Sequence, residues 1–554
     1  MAELSDAEKK ARIAALLKKK NQQIHPLSFS QKRLWFIDQF DPNNAVYNIV
    51  AAVKLRGDLN AGYLEQSIQQ VIERHQVLRS VFQTLDGKAV VNIKSFDPVK
   101  LSNASIDSEH LIPWLQKQSN TPFDLTQGPL YRFELIKLAD QQSVLFINCH
   151  HIIADGWSIH LLQHEIIQSY ENLVNGKSIK VSPLKLQYYD YVRWQNKTID
   201  ETLIKNELAY WKSKTTHDQT LLLPTDYPRS AQQTFNGHYV SQSLPKKQVK
   251  QLNQFLKVEK TTLFNVLISC FQIMLSKWSG QSQFNIGTPT AGRSRQETEN
   301  LLGYFINSLI IPVDLKQTVS FKAHLDNVQK NLVDSYAHAN IPFDYLVDEL
   351  QPERSLSHSP LFQVMFAMQN QQEYAESMSN IQLEPIEIHN GGAKFDLTVT
   401  AVSSNDGLTF SFEYNTDLFN QATIERFIEQ MMTFVGNAIN HPEQKINRIE
   451  FLPEKQIKLL LKDWGTKQSS SKIPSLIESI EKQAKKQAKL PALQTEVTLS
   501  YQQLNSQANQ LAHYLIQRGV KKECSVVIML ERSADLIISI LAILKTGACY
   551  VPVD

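Results

Sequence analysis

The chain has 554 residues, which is too long for one ordinary hydrophobic core, so its length predicts about two to four structural units. Hydrophobic residues make up 42% of the sequence and charged residues 20%, a composition that fits a folded enzyme and excludes an intrinsically disordered chain. The net charge of +2 provides no general attraction to nucleic acid or to a membrane, so we expect no partner of either kind.

The cysteines and the apolar runs indicate the compartment. The four cysteines show no paired spacing, which argues against a disulfide framework or a zinc ribbon and suits a reducing environment. The most apolar run, Leu536–Leu544, is far too short to span a bilayer, and acidic residues near the N-terminus argue against a signal peptide. We therefore expect a cytoplasmic protein.

The first segment, residues 1–24, is predicted to contain a helix over Leu4–Gln23. Ser5 and Glu8 form a capping-box pattern at its start, and a small apolar stripe follows among basic residues. Two interpretations stay open at this point: a solvated basic helix, or a docking helix for an upstream protein.

A histidine pair follows a predicted buried strand in the first half of the chain. Ser143–Asn148 is a short apolar run that is typical of such a strand. Apolar residues recur at helical spacing over Ile159–Leu173, so a helix is predicted there. His150 and His151 therefore lie where a strand runs into a loop, and loops at strand ends commonly carry functional residues.

Asp155 and Gly156 complete this loop. The spacing predicts that the chain turns at Gly156 and that Asp155 folds back toward the histidines. One imidazole would then face a cavity, where its neutral form accepts a proton from an attacking amine or holds that amine by a hydrogen bond. The alternative is a pair of histidines that only pack in the core.

The second half continues with strands and amphipathic helices. Thr261–Trp278 is predicted to be a buried helix, and Ile286–Arg293 a strand that ends in a glycine-containing loop. Lys394–Leu397 is predicted to be a strand segment near the end of this half.

His150–Gly156 resembles the HHxxxDG motif of the condensation-domain superfamily of nonribosomal peptide synthetases, which looks related to chloramphenicol acetyltransferase. Further segments resemble the remaining signatures of that family in the same order, and the resemblance covers residues 25–450. Departures are mild, such as Ser30 for alanine and Gln76 for glutamate. The further segments are Pro26–Phe36, Arg74–Phe82, Tyr188–Trp194, Leu302–Leu309, His338–Asp344 and Ser359–Val364.

The resemblance implies a role for each site residue. His151 is the implied catalytic residue. Arg293 is implied to pair with Asp155 as a structural ion pair, which fits the need of a buried carboxylate for a partner. The rest of the active-site motif is His150, Gly156 and Trp157. Further tunnel or anchor candidates are Arg74, Arg79, Asn307 and Ser308.

For the fold, the resemblance implies an α/β protein of two chloramphenicol-acetyltransferase-like lobes in a V-shaped pseudo-dimer, with the site in a tunnel between them. A truncated N-terminal piece of an adenylation domain follows. The implied segments are 25–200 for the N-terminal lobe, 201–452 for the C-terminal lobe, 453–475 for a linker and 476–554 for the adenylation piece.

The adenylation piece is recognised by two stretches, Leu499–Leu504 and Leu544–Asp554, which resemble the start of such a domain. The Gly/Ser/Thr-rich loop that binds ATP phosphates in that family is absent from the sequence, so we expect no adenylating activity from this piece. ATP and Mg²⁺ accordingly belong only to a full adenylation domain.

The resemblance implies amide-bond formation between a donor acyl or peptidyl thioester and the amine of a carrier-bound aminoacyl acceptor. The condensation domain is expected to bind no cofactor itself, because 4'-phosphopantetheine arrives on partner carrier proteins. The expected partners are an upstream donor carrier acting in trans, which the N-terminal helix is a candidate to dock, a downstream acceptor carrier, and an adenylation domain in cis.

Other functions are weighed against this one. A starter condensation domain that adds a fatty acyl group to the first amino acid stays open, as does a non-catalytic docking or scaffold module. An epimerisation domain is disfavoured because an adenylation start follows directly, and a cyclisation domain is expected to carry aspartate in place of His150. His160 and His164 have a spacing that fits zinc, but Leu161 stands where a metalloprotease needs glutamate, so no metal site is predicted.

Overall fold

The computed structural model divides the chain into two compact units, Met1–Ile457 and Lys458–Asp554. The predicted helix over Leu4–Gln23 lies outside the described residues, except for Gln23, which begins a strand. The described residues are 23–42, 44–139, 141–177, 183–215, 220–315, 320–350, 357–370, 377–404, 407–464, 474–495 and 497–553.

The first half of the larger unit forms an α/β lobe in which helices cover a mixed sheet. Its elements are β1 (Gln23–Pro26), α1 (Phe29–Phe40), β2 (Asn48–Arg56), α2 (Ala61–Arg74), β3 (Ser80–Leu85), β4 (Lys88–Ile93), β5 (Ser102–Ser105), α3 (Leu111–Ser119), β6 (Tyr131–Ala139), β7 (Gln142–His150), α4 (Gly156–Val174) and α5 (Tyr188–Thr198). Strands β1, β4 and β3 form a separate three-stranded sheet.

Strand β7 lies between β2 and β6 in the main sheet of this lobe. Leu145 and Ile147 pack into the core cluster that also holds residues of α2 and α4, whereas Val144 and Phe146 pack against residues of α3. Because both faces of the strand are covered, its sequence is a continuous apolar run rather than an alternating one. This position places the histidine pair at the end of a buried, rigid strand.

The second half of the larger unit forms another α/β lobe around a six-stranded sheet of order β10-β9-β11-β14-β15-β8. The buried helix predicted over Thr261–Trp278 is observed as α8. The elements are α6 (Glu201–Lys214), β8 (Gly237–Ser243), α7 (Lys246–Glu259), α8 (Leu263–Ser279), β9 (Gln283–Thr290), β10 (Asn307–Asp314), α9 (Phe321–Ala337), α10 (Phe343–Leu350), β11 (Val364–Asn370), β12 (Ser377–Met378), β13 (Ile381–Ile386), β14 (Leu397–Ser404), β15 (Gly407–Asn415) and α11 (Gln421–Asn440).

Two strands from the second half of the chain, β12 and β13, join the sheet of the first lobe. Strand β13 pairs antiparallel with β2, with Gln382 opposite Arg56 and Ile386 opposite Ala52, so the sheet order is β12-β13-β2-β7-β6-β5. The predicted division of the lobes at residue 200 does not anticipate this exchange. The two lobes therefore share backbone hydrogen bonds as well as side-chain contacts.

The smaller unit is also α/β, which confirms the predicted fold class for both parts of the chain. Its sheets are two-stranded, β16 with β17 and β18 with β19. A short helix, α12 (Glu454–Lys458), spans the boundary between the units, and a π-helical turn, Leu459–Trp464, begins the smaller one. The remaining elements are α13 (Leu476–Lys486), β16 (Pro491–Gln494), β17 (Thr498–Ser500), α14 (Tyr501–Gln517), β18 (Ser525–Ile528), α15 (Ala534–Lys545) and β19 (Cys549–Pro552).

None of the described helices is by itself long and apolar enough to cross a membrane; α7 and α8 meet that test only together, as a pair bent by 107°.

Candidate active site

The histidine pair is held by backbone hydrogen bonds from two sides. His150 N donates to Leu130 O at 2.9 Å, and His151 N donates to Tyr47 O at 2.8 Å. These bonds continue the sheet one residue past the end of β7. The backbone of the pair is therefore fixed.

A hydrogen bond to Ala154 determines which ring nitrogen of His151 carries the proton. Its Nδ1 lies 3.0 Å from the carbonyl oxygen of Ala154. A carbonyl oxygen only accepts, so Nδ1 carries the proton and donates, which leaves the lone pair on Nε2. The ring of Tyr304 packs against the imidazole at 5.0 Å between ring centres.

The surroundings of His151 favour its neutral form. Burial lowers the pKa of His151 well below its usual value, and the charge of Lys394 and the neighbouring His150 lower it further, while the bond to Ala154 opposes this. The imidazole is therefore uncharged at neutral pH. It is available as a hydrogen-bond acceptor for an amine without prior loss of a proton.

His150 differs from its neighbour in both its contacts and its surroundings. Its side chain is only 4% exposed, and its Nδ1 accepts a hydrogen bond from Ile152 N at 3.1 Å. The ring of Phe123 meets it edge-on at 6.4 Å. Burial, with a contribution from the charge of Lys394, lowers the pKa of His150 to about 3. His150 is a neutral core histidine that shapes the turn.

The described partners of the Asp155 carboxylate are Ser158, Arg293 and Phe305 and neither histidine, contrary to the expectation that it folds back toward them. It is the N-cap of α4, and its carboxylate accepts from Ser158 N at 2.8 Å and from Ser158 Oγ at 2.7 Å. The same carboxylate accepts from Phe305 N at 3.1 Å. The reason is that α4 begins directly after Asp155, at Gly156, so the free N–H groups of its first turn attract the carboxylate.

Gly156, where a turn is predicted, is the first residue of α4. Its φ lies outside the left-handed region, and a Cβ atom built there would meet nothing within 4 Å. The following residue, Trp157, is 40% exposed, and its indole donates to Glu299 O at 3.0 Å. Trp157 therefore ties the start of α4 to the second half of the chain.

Arg293 reaches Asp155 across the junction of the lobes. Its Nη2 lies 3.2 Å from Asp155 Oδ1, and both side chains are at most 3% exposed. The guanidinium also donates to Ser158 Oγ at 2.9 Å and to Leu301 O at 2.8 Å, and it stacks 3.9 Å from the ring centre of Phe305. Burial lowers the pKa of Arg293, and the neighbouring Asp155 carboxylate opposes this.

The remaining predicted residues anchor the framework. Arg79 donates to three backbone carbonyls, among them Lys94 O at 2.7 Å. Arg74 lies 3.5 Å from Glu165, within the first lobe. Asn307 donates to Ile341 O at 2.9 Å and accepts from Phe343 N at 3.0 Å. Ser308 follows it on β10 and is partly buried. None of these contacts of Arg74, Arg79 and Asn307 involves His151.

Sequence reasoning missed several polar residues between the lobes. Tyr47 accepts the His151 backbone bond, and Arg33 on α1 pairs with Asp344 on α10 at 3.4 Å. Lys394 lies 5.1 Å from the ring centre of Tyr47, and its charge lowers the pKa of both histidines. Arg33 and Asp344 fall within segments that resemble family signatures, which was the available signal. Tyr47 and Lys394 carry no such signal because they meet the site only through the fold.

Metal ligation finds no support within the part of the chain that the structure describes. No group of three or more His, Cys, Asp or Glu side chains there is arranged to hold a metal ion. His160 and His164 lie on α4, and no third ligand of these types joins them among the described residues.

Comparison with known families matches two segments of the chain. The family model described as "Condensation domain" matches residues 21–461, and the one described as "AMP-binding enzyme" matches residues 480–554. The chain belongs to the condensation-domain family. This confirms the resemblance drawn from the HHxxxDG motif, including the start of an adenylation-type domain after the condensation domain.

The relatives are nonribosomal peptide synthetases. A linear gramicidin synthase polypeptide of Brevibacillus parabrevis is 39% identical over 566 residues, which cover 100% of this chain and 7% of that protein. Bacitracin synthase 2 of Bacillus licheniformis is 32% identical over 551 residues, which cover 99% of this chain and 21% of that protein. The chain therefore spans a small part of the length of these relatives.

Solved structures give the same fold. A holo four-domain nonribosomal peptide synthetase bound to AMP and glycine superposes with a TM-score of 0.74 at 25% identity, over 96% of this chain and 42% of that chain. The first condensation domain of the calcium-dependent antibiotic synthetase gives 0.66 at 17% identity, over 78% of this chain and 100% of that chain. The predicted condensation-domain fold, with two chloramphenicol-acetyltransferase-like lobes, is thus confirmed.

Proposed function

We propose that the chain forms an amide bond between a donor acyl or peptidyl thioester and the amine of a carrier-bound aminoacyl acceptor. The observation that carries this proposal is the state of His151. Its Nδ1 proton is committed to Ala154 O, so Nε2 holds a lone pair on a neutral imidazole. A neutral acceptor next to an amine is what aminolysis of a thioester needs.

The proposed reaction begins when the amine nitrogen attacks the thioester carbonyl carbon and the carbonyl π electrons move onto the oxygen. His151 Nε2 holds the amine and accepts the proton that the nitrogen loses. The C–S bond then breaks, and the proton passes to the thiolate sulfur, which yields an amide and a free thiol. The low basicity of His151 favours positioning and transient proton transfer over a long-lived imidazolium.

The Asp155–Arg293 pair supports this chemistry from outside the reacting centre. It joins the N-terminus of α4 to the loop that follows β9, and Phe305 N donates to the same carboxylate. These contacts fix the turn that carries His151 relative to the second lobe. We therefore assign both residues a structural role.

Both substrates are proposed to arrive on 4'-phosphopantetheine arms of carrier proteins. A cavity of about 380 Å³ lies beside the Asp155–Arg293 pair, between α5 and the end of α9. Aromatic rings and amide groups line it, among them Trp194, Tyr336 and Asn340. Apolar walls with a few amide groups suit an arm that itself carries two amides. We propose that this cavity accommodates part of one arm.

The donor class is tested by intact mass measurement of a glycyl-loaded acceptor carrier mixed with this chain. Three donors are compared: a decanoyl carrier, a leucyl carrier and a β-ketoacyl carrier. A mass gain with the leucyl carrier supports elongation, and a gain with the decanoyl carrier alone supports the starter type. No gain with any donor, while the chain remains folded, contradicts amide formation and favours the scaffold alternative.

A further inference from the structure

Lys394 lies in a loop that is fixed to both lobes. The predicted strand over Lys394–Leu397 begins only at Leu397, so Lys394 belongs to the loop ahead of β14. In the same loop, Asn390 Nδ2 donates to Asn48 O at 3.1 Å in the first lobe. Ala393 N donates to Phe235 O at 2.9 Å in the second lobe. The backbone that carries this lysine therefore has a fixed place at the junction.

Tyr47 connects Lys394 to the catalytic histidine. The Nζ atom of Lys394 lies 5.1 Å from the centre of the Tyr47 ring, and Tyr47 O accepts the backbone N–H of His151. One residue thus contacts the ammonium with its ring and holds the backbone of His151 with its carbonyl. The positive charge is near enough to lower the pKa of both His150 and His151.

The ammonium lacks an ion-pair partner within the described part of the chain. The carboxylate that acts on Lys394, Glu413, is bonded to His389 at 3.1 Å, and Arg33, which also acts on it, pairs with Asp344 at 3.4 Å. Burial lowers the pKa of Lys394 to about 8, with Glu413 raising it and Arg33 lowering it. The titratable and charged groups around Lys394 are Arg33, Tyr47, His150, His151 and Glu413.

An unpaired cation in a partly buried place is costly to the folded state. Sites with such a cost commonly serve function rather than stability. During amine attack the carbonyl oxygen gains negative charge, and a fixed cation beside the attacked carbon stabilises that charge more than it stabilises the neutral substrate.

We propose that Lys394 is a further residue of the acyl-transfer site, whose ammonium attracts the negative charge that develops on the donor carbonyl oxygen. The inference rests on the proposed amide formation. No bond to Lys394 forms or breaks; the electron pair returns from oxygen to carbon as the thiolate leaves.

The test compares Lys394→Met with Lys394→Arg in the amide assay under single-turnover conditions, with leucyl, decanoyl and β-ketoacyl donors and a glycyl acceptor carrier. Lys277→Met is the matched control, because Lys277 is also partly buried and lies 4.9 Å from the ring centre of Phe451. We expect Lys394→Met to lose about 10²-fold in rate. Lys394→Arg should retain most of the rate, and Lys277→Met all of it.

Two further readouts separate this role from a structural one. Lys394→Met should melt at or above the wild-type temperature, since it removes a cation without an ion-pair partner. The wild-type rate should fall as the pH rises through about 8, where Lys394 loses its proton. That alkaline fall should disappear in Lys394→Met and shift to higher pH in Lys394→Arg.

Each failure has a distinct meaning. If the wild-type protein is active and Lys394→Met has the same rate and pH profile, the inference about Lys394 is overturned and the proposed function is not. A slower Lys394→Met that also melts lower and is not rescued by arginine would overturn it in favour of a packing role. No amide from wild-type protein with any of the three donors would overturn the proposed function and the inference together.

Discussion

At the scale of single residues, the two histidines of the motif are separated by their hydrogen bonds. His150 uses Nδ1 as an acceptor for Ile152 N, whereas His151 uses Nδ1 as a donor to Ala154 O. The two rings are therefore different tautomers with respect to Nδ1. Only His151 keeps its Nε2 lone pair on a ring that lies against Tyr304 at the lobe junction. This explains why one of two adjacent identical residues suits the chemistry.

The buried neutral state of His150 predicts a pH-dependent stability. Its pKa is about 3 in the folded chain, so below the usual imidazole pKa the unfolded chain binds a proton that the folded chain does not. Stability is therefore lost as the pH falls below about 6.5, by about 2 kcal/mol at pH 5. His150→Asn, which keeps an acceptor for Ile152 N, should show a smaller drop in melting temperature between pH 7 and pH 5. His110→Asn, at an exposed position, should behave as wild type, and an equal drop in both variants would contradict this assignment.

At the scale of elements, the site is a strand end joined to a helix start. Strand β7 presents the histidines, and α4 begins six residues after His150 with Asp155 as its cap. The carboxylate satisfies the first turn of α4 and also receives Arg293 and Phe305 N. One side chain thus joins a helix terminus, a loop of the other lobe and the turn of the motif.

Removal of this carboxylate should destabilise the chain more than removal of an ordinary cap. Asp155→Ala leaves Arg293 buried without its partner, which costs about 3–5 kcal/mol. Asp200→Ala is the matched control, because Asp200 caps α6 through a 2.8 Å bond from Leu203 N at an exposed position, where loss of the cap costs about 1 kcal/mol. Thermal melting compares the two. Equal shifts in melting temperature would contradict the structural role of the Asp155–Arg293 pair.

These elements show how far the sequence leads. The apolar run of β7 and the periodicity of α4 predict both elements, since each pattern reflects local burial. The direction of Asp155 was predicted wrongly, because an aspartate that folds back toward a strand and one that caps the following helix look the same in sequence. The sequence did not predict a role for Lys394, because its contact with Tyr47 depends on packing between segments far apart in the chain.

At the scale of the whole larger unit, the two lobes are not independent. Strand β13 from the second half extends the first sheet, and Leu301, Leu302 and Phe305 pack into the core cluster of the first lobe. The site residues also come from both sides, with His151 on one lobe and Arg293 on the other. A change at the shared strand should therefore be felt by the whole unit.

Ile381 tests this coupling. Its side chain is 1% exposed and packs in the first lobe's core from strand β13. Ile381→Ala should destabilise the unit by about 3 kcal/mol through the cavity that it leaves. Gln382→Ala, at an exposed position of the same strand, should change the melting temperature little. Equal melting temperatures for the two variants would mean that β13 contributes little to the first lobe.

The most direct measurement is the single-turnover rate of amide formation by wild-type protein and His151→Ala, with preloaded donor and acceptor carriers and intact mass as the readout. His164→Ala, at an exposed position of α4, is the control. We predict a loss of at least about 10²-fold for His151→Ala, with an unchanged melting temperature and a fully active control. A rate within a few-fold of wild type for a folded His151→Ala protein would contradict a direct role of this imidazole in amide formation.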